Sequence, residues 1–259
     1  YRWIVWKFCS LIRAFPDCYS VDNLSPRWVL SQLMYRYERE INQCHRSSLK
    51  KIIERDDAAG KYICLAVACV DYEKRSLELT DGWYSIWTAA AAMMEDSIWS
   101  LVIKNKRIFE GCKIEICLAS LTGQEGGIPV LEAGNSSSSC QLKIQRNCTR
   151  PSPWDTKLGF LCTRKGSSVG FLKKLRQIHP QGGLVPAIRV VIDRVYPLIY
   201  REEPEEIGTG KISRNERDHF IYLETHAEQA QKSKFSTLQR IRVIDPECAS
   251  VCVISFWNP

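Results

Sequence analysis

The stretch Arg75-Ser76-Leu77-Glu78-Leu79-Thr80-Asp81-Gly82-Trp83-Tyr84-Ser85-Ile86-Trp87 decides the fold class of this chain. Asp-Gly between two β-prone runs is the strongest short-range hairpin signal, because a two-residue type I′ turn needs positive φ at both central positions. Arg75–Leu79 reads as the strand entering the turn and Trp83–Trp87 as the strand leaving it. A hairpin alone carries no function, so its meaning comes from the elements on either side.

Upstream the period is helical. Trp3, Ile4, Phe8, Leu11 and Ile12 recur at helical spacing, and Pro16-Asp17 ends the segment. Ser25-Pro26 opens a second helix, with serine at the cap and proline at the first helical position. Its Val29, Leu30, Leu33, Met34, Tyr37 and Ile41 form one stripe, which reads as core rather than as a binding platform. A third piece, Ser47 to about Arg55, puts Leu49, Ile52 and Ile53 on one face. From Lys61 the period becomes two. Tyr62–Tyr72 is a nearly continuous apolar run, as expected of a strand buried on both faces or strongly coiled. After the hairpin come a helix from about Ala91 to Lys104, a strand Lys113–Leu121, a Gly/Ser-rich loop Gly123–Ser139 and a last strand Cys140–Arg146. The order β-β-β-α-β-β is the layout of a five-stranded oligonucleotide/oligosaccharide-binding (OB) barrel. An SH3-like barrel, the main alternative, does not need the helix.

Beyond Arg150-Pro151-Ser152-Pro153-Trp154 a linker is expected as far as about Pro186, with a short basic helix at Phe171–Ile178. Strand-like runs resume at Ala187–Tyr200, Lys211–Ser213, Leu238–Ile244 and Val251–Trp257, with a polar, helix-prone insertion at Arg214–Lys234. The expected class is α+β, mainly β: a short helical domain followed by tandem OB barrels, the second incomplete. A start within a helix, without methionine, leads to the expectation of a piece of something longer.

The composition narrows the chemistry. Apolar residues are 45% of the 259 and the net charge is +7, which suits a nucleic acid or an acidic partner. Residues 1–57 carry 10 basic and 7 acidic groups, 58–163 carry 11 and 11, and 164–259 carry 15 and 11, so attraction for a polyanion belongs to the two ends. The twelve cysteines contain no Cys-x-x-Cys pair, and His45 beside Cys44 is the single adjacent Cys–His pair. The thiols therefore read as small buried hydrophobes in a reducing compartment, and neither metal nor cofactor is expected. The sequons at Asn135 and Asn147 are expected to be idle, and no membrane segment or signal peptide is legible. Gly166-Ser167-Ser168-Val169-Gly170 fits the hydrolase pattern but lies in the linker rather than on a strand-to-helix elbow. Asp56-Asp57 and Glu202-Glu203/Glu205-Glu206 have no accompanying histidine, and Gly123–Gly127 lacks the Lys-Ser/Thr of a phosphate loop. An enzyme is not expected.

Single-strand binding needs a basic groove and aromatic faces for stacking. Arg189, Arg194, Tyr196, Arg240, Arg242 and Trp257 supply those types in the second strand series, and alternation puts Arg240 and Arg242 on one face. In the first barrel Trp83 and Tyr84, being adjacent, are expected to point to opposite sides. Asp81 is expected to act as a turn residue, with an ion pair to Lys50 or Arg55 as the alternative. These five residues form the candidate partner or domain interface.

The wording of the chain adds a resemblance. Tyr1-Arg2-Trp3-Ile4-Val5-Trp6-Lys7, Leu33-Met34-Tyr35-Arg36-Tyr37-Glu38 and Leu49-Lys50-Lys51-Ile52-Ile53-Glu54-Arg55-Asp56-Asp57 occur in order. Glu78-Leu79-Thr80-Asp81-Gly82-Trp83-Tyr84, Arg150-Pro151, Thr156-Lys157-Leu158-Gly159-Phe160 and Arg214-Asn215-Glu216-Arg217 follow. In these words the chain resembles the DNA-binding region of the breast cancer type 2 susceptibility protein family. The resemblance implies that residues 1–57 are the end of a helical domain, 58–163 the first OB fold, and 164–259 a linker and the start of the second. It implies a nuclear protein of homologous recombination and double-strand break repair that binds single-stranded DNA. The implied partners are a small acidic protein (the deleted-in-split-hand/split-foot protein) and, through regions outside this segment, the strand-exchange recombinase. Where vertebrate members carry a long helical tower, the insertion at about 214–234 has room for one short helix. Two functions follow as expectations: a single-strand-binding module, or a scaffold for the acidic partner with DNA bound by barrels downstream.

Overall fold

Proline positions and capping residues set the helical segment. Helix α1 (Arg2–Ala14) stops ahead of Pro16, whose ring disfavours helical backbone in the residue before it. Helix α2 (Pro26–Tyr37) starts after an extended Ser25 and runs into a π turn at Glu38–Asn42. Helix α3 (Ser48–Ile53) is capped by Ser47, whose hydroxyl accepts the Lys50 N–H at 3.3 Å. The computed structural model describes residues 1–89, 96–103, 106–123, 126–133, 140–161, 172, 174–203, 212–226, 234–248 and 250–258. By packing it falls into two units, Tyr1–Ser168 with His179–Pro186, and Val169–Ile178 with Ala187–Pro259.

The first unit is a helical segment on a small barrel. Its elements are β1 (Ile63–Asp71), β2 (Ser76–Thr80), β3 (Ser85–Trp87), α4 (Asp96–Ile103), β4 (Lys113–Ile116), β5 (Ser120–Thr122), α5 (Val130–Ala133), β6 (Gln141–Lys143), β7 (Thr149–Ser152) and β8 (Gly159–Phe160). Strand β1 pairs antiparallel with both β2 and β4, and β2 with β3. A parallel bridge from Thr88 to Leu142 carries β3 to β6, which pairs with β5, while β7 pairs with β4. If β4–β5 count as one broken strand and β6–β7 as another, the circuit is 1-2-3-5-4-1, the closed OB barrel. The break in the fourth strand falls at Leu118, which takes left-handed backbone (φ 50) while its N–H reaches Gly60 O at 2.9 Å. Sequence alternation alone predicts one strand over Lys113–Leu121. The fifth strand, expected over Cys140–Arg146, is likewise interrupted by a 3-10 turn at Arg146–Cys148 and resumes as β7, so Arg150-Pro151-Ser152 is barrel strand.

Inside the barrel, Leu65, Val67, Leu77, Leu79, Ile86, Ile114 and Ile116 are buried together with Leu49, Ile52 and Ile53 of α3. Each of those α3 side chains contributes roughly 1.5–3 kcal/mol on burial, which fixes α3 against the barrel. The stripe expected to bury α2 does not do so: Val29 is buried, whereas Leu30, Met34, Tyr37 and Ile41 are more than half exposed. Periodicity identifies an apolar stripe but not the surface that covers it. Here Gln32, Tyr35 and Arg36 of the helix line a cleft against the barrel instead.

The second unit is an open sheet. Its elements are β9 (Val191–Val195), β10 (Ile199–Glu203), β11 (Ile212–Asn215), α6 (Glu216–Thr225), β12 (Lys234–Ile244) and β13 (Val251–Asn258). The order is β11-β10-β12-β13, and β9 pairs with the far half of β12. The run Ala187–Tyr200 thus forms two strands, broken at Tyr196–Leu198, where Pro197 lacks an N–H for a ladder. Of the basic helix expected at Phe171–Ile178, the described residues show a 3-10 turn, Leu175–Gln177. The motif Gly166–Gly170 and the pair Glu205-Glu206 lie outside the described residues, as does most of the loop Gly123–Ser139.

Candidate nucleic-acid interface

The two faces of β12–β13 differ in chemistry. Register pairs Leu238 with Trp257, Arg240 with Ser255 and Arg242 with Val253, so these side chains share one face. Gln239–Phe256, Ile241–Ile254 and Val243–Cys252 occupy the other. Arg194 lies opposite Arg242 and joins the arginine face. The register slips at Arg242/Val243, and this bulge brings Asp193 to the Arg242 guanidinium as well. On β10, Arg201 lies opposite Ser236, and its guanidinium sits 5.4 Å from the Trp257 ring centroid. Arg194, Arg201, Arg240 and Arg242 therefore share one sheet face with Trp257, which is 51% exposed; Arg201 reaches its ring, and Asp193 is the carboxylate paired to Arg242.

The structure places the expected residues unevenly. Arg194, Arg240, Arg242 and Trp257 come together on this face. Tyr196 follows β9, its N–H donating to Arg240 O at 2.9 Å and its carbonyl accepting from Gln239 Nε2 at 2.7 Å. Arg189 is exposed ahead of β9, outside the ladder. Arg201 was missed because its strand is separated from β12 and β13 by the insertion, and sequence distance hid the pairing.

The set around the first hairpin is a packed joint between the helical segment and the barrel. The turn is not a two-residue type I′ turn. Thr80 pairs with Ser85, leaving the four-residue loop Asp81–Tyr84, in which Gly82 alone has positive φ (86). The loop is held by the Asp81 carboxylate: Oδ1 accepts the N–H groups of Trp83 (2.9 Å) and Tyr84 (3.0 Å), and Oδ2 accepts Leu49 N–H (2.9 Å) in the first turn of α3. Asp81 thus engages the helix backbone rather than Lys50 or Arg55. Lys50 pairs with Glu40 at 3.4 Å, and Arg55 is an exposed left-handed residue (φ 63) just past α3. Because Trp83 and Tyr84 sit in a loop, strand alternation does not apply to them. The Arg36 guanidinium covers both rings, at 5.2 and 5.0 Å. The Tyr84 hydroxyl donates to Glu40. Burial works against the Glu40 charge, yet the Tyr84 hydroxyl, Arg36 and Lys50 hold its carboxyl below the usual range. Burial, with Glu40 alongside, pushes the Tyr84 hydroxyl up to about 12.

Beside this joint lies a cleft of about 700 Å³ between α1, α2 and the outer face of the barrel. Ile4, Phe8 and Leu11 contribute apolar wall from α1, and Trp83, Phe109 and Trp154 contribute aromatic edges. Lys7, Arg36, Arg107, Lys113 and Lys157 line it against two carboxylates, Asp81 and Asp155, of which Asp81 already accepts three backbone N–H groups. Burial, and to a lesser degree Lys7, lowers the Lys113 ammonium pKa. On the same outer face Ser76, Glu78 and Thr80 of β2 are buried, Glu78 meeting Arg2 of α1 at 3.5 Å. The outer face of β2 in the first barrel is therefore covered, whereas on the arginine face of the second unit Arg194, Arg240 and Trp257 are exposed and Ser236 and Leu238 are buried.

Among the described residues, no group of three or more His, Cys, Asp and Glu side chains is placed to hold a metal ion, and no helix is long and apolar enough to cross a membrane. The sequon residue Asn147 is 1% exposed, and its amide nitrogen donates to His179 O and Gly183 O, both at 3.1 Å; Asn135 lies outside the described residues.

Comparison with known proteins agrees with this architecture. Residues 1–44 match the family model described as BRCA2, helical, and residues 47–162 the one described as BRCA2, oligonucleotide/oligosaccharide-binding, domain 1. Two Arabidopsis thaliana proteins, Protein BREAST CANCER SUSCEPTIBILITY 2 homolog A and homolog B, are each 31% identical to the chain over 245 residues. Each alignment covers 88% of this chain and 20% of the relative, so the chain spans about one fifth of the length of these proteins.

Proposed function

This chain belongs to the BRCA2 family, and on that premise we propose that it is a single-stranded-DNA-binding and partner-docking region of a nuclear recombination mediator. The helical and OB domains of this family are not enzymatic. In this reading the region serves double-strand break repair by holding single-stranded DNA while other parts of the protein engage the strand-exchange recombinase. The observation that carries it is one sheet face of the second unit, which Arg194, Arg240 and Arg242 share with an exposed tryptophan whose ring Arg201 approaches. Guanidinium groups would meet phosphates while the indole stacks on a base, the combination that single-strand binding uses. The test is the affinity for a fluorescent oligo-dT as a function of salt. Each lost phosphate contact lowers the slope of log K against log salt by about 0.7. The double variant R240A/R242A is expected to lose affinity and about 1.4 from the slope. An unchanged affinity and slope would refute the DNA reading.

A second reading is favoured by the cleft of the first unit. Its excess of cations beside apolar and aromatic wall suits an extended acidic segment with aromatic side chains, and we propose it as the dock for the small acidic deleted-in-split-hand/split-foot protein. Lys50, Arg55, Asp81, Trp83 and Tyr84 would then act mainly by shaping the joint beside the cleft. Co-expression is expected to raise solubility and give a complex that K7E/K157E weakens. No complex would remove the scaffold reading and leave the DNA reading intact.

A further inference from the structure

The two units share a device that their sequences conceal. In the first, Asp81 follows β2 directly, and its N–H points back to Tyr84 O (3.4 Å), the residue before β3. Its Oδ1 accepts the N–H two residues on (Trp83, 2.9 Å), and its Oδ2 accepts Leu49 N–H (2.9 Å) in the helix that precedes β1. In the second unit, Asp245 follows β12 directly, and its N–H donates to Ser250 O (3.0 Å), the residue before β13. Its Oδ1 accepts the N–H two residues on (Glu247, 3.0 Å). Its Oδ2 accepts Leu175 N–H (2.9 Å) in the 3-10 turn that precedes β9. Both aspartates are buried. Around them the words differ: Thr80-Asp81-Gly82-Trp83-Tyr84 has nothing but its aspartate in common with Ile244-Asp245-Pro246-Glu247-Cys248.

The correspondence fixes β9, β12 and β13 as strands one, two and three of the second fold, with β10, β11 and α6 as an excursion between strands one and two. The strands on either side of Asp245 carry Arg240, Arg242 and Trp257. A salt bridge from Lys174 Nζ to Glu247 Oε2 (3.0 Å) adds a second tie between the 3-10 turn and the hairpin loop.

We propose that Asp245 is the positioning residue of the nucleic-acid face, the counterpart of Asp81, locking the β12–β13 hairpin to the Leu175–Gln177 turn so that the arginine face is presented in one geometry. This rests on the DNA reading of that face. Asp245 does not touch the ligand; it acts through the hairpin it holds.

The test uses the full 259-residue chain and oligo-dT titrated across salt, with D245A, D245N and D81A. D245A is expected to weaken binding about tenfold at low salt and to lower the salt slope by about 0.7–1.4, the equivalent of one or two phosphate contacts. D245N, which keeps an acceptor oxygen, is expected to recover most of both. D81A is expected to lower the melting temperature while leaving the salt slope at the wild-type value. Wild-type affinity and slope in D245A would overturn the proposal, as would an equal slope change in D81A. If D245A does not fold, amide exchange of Leu175 in the wild-type chain takes its place. Protection that rises on dT binding supports the proposal, and protection unchanged by dT overturns it. Absence of any dT binding by the wild-type chain would refute the DNA reading itself, a separate result.

Discussion

Replacing Asp81 by alanine removes the acceptor of three backbone N–H groups at once, those of Leu49, Trp83 and Tyr84. A hydrogen bond to a charged acceptor is worth roughly 1.5–3 kcal/mol, and a buried donor left unsatisfied costs about 1–3 kcal/mol. Leu49 is fully buried, so its N–H has no recourse to water. Trp83 and Tyr84 are half-buried, and water can reach their N–H groups once the loop relaxes. One full and two partial penalties give about 3–5 kcal/mol for D81A. Against a typical stability of about 5–15 kcal/mol this is a large fraction. D81N keeps one acceptor oxygen but turns an NH2 toward the other donors, and is expected to cost about 1–2 kcal/mol. Urea unfolding followed by tryptophan fluorescence measures the loss. Amide exchange in β2 and β3 assigns it to the first unit, because two units need not unfold together. A D81A chain within about 0.5 kcal/mol of wild type would show that the carboxylate is not what joins hairpin to helix.

Two further outcomes follow from buried polar groups. Glu115 accepts from Tyr62 Oη, from Arg150 Nε at 2.7 Å and from Ser152 Oγ at 2.8 Å; burial opposes its charge, but these partners hold its carboxyl below the usual range. Its stabilisation is therefore complete above the ordinary glutamate value near 4.5 and is lost as pH falls through the depressed folded value. E115Q should be less stable at neutral pH and show a flatter decline below about pH 4.5; a decline as steep as wild type would contradict this. Asn147 accepts from His179 N–H at 2.9 Å and donates to His179 O and Gly183 O, fastening the segment 179–183. N147A is expected to expose that segment to limited proteolysis at a rate at least tenfold above wild type, and an unchanged rate would show that other contacts hold it.

Much of the barrel was legible because its signals are local. The change of period at Lys61, the apolar run Tyr62–Tyr72 and the Asp-Gly hairpin are properties of neighbouring residues, and each corresponds to an observed strand or turn. What failed depended on distant partners. The interruption at Leu118 answers to Gly60, and the fate of the α2 stripe depends on what lies opposite the helix. The turn type at Asp81 is decided by Leu49, thirty-two residues away, because a carboxylate drawn to a helix N–H shapes a loop differently from one facing water.

The sequence by itself determined the order of elements, the OB class, the family and the arginines available to a polyanion, since periodicity, turn chemistry and wording all reside in the linear chain. Tertiary structure alone decided that Arg194 and Arg201 join Arg240 and Arg242 on one face, and that Asp81 and Asp245 are the same device. The physical reason is that register and helix capping bring together groups that composition and spacing cannot pair.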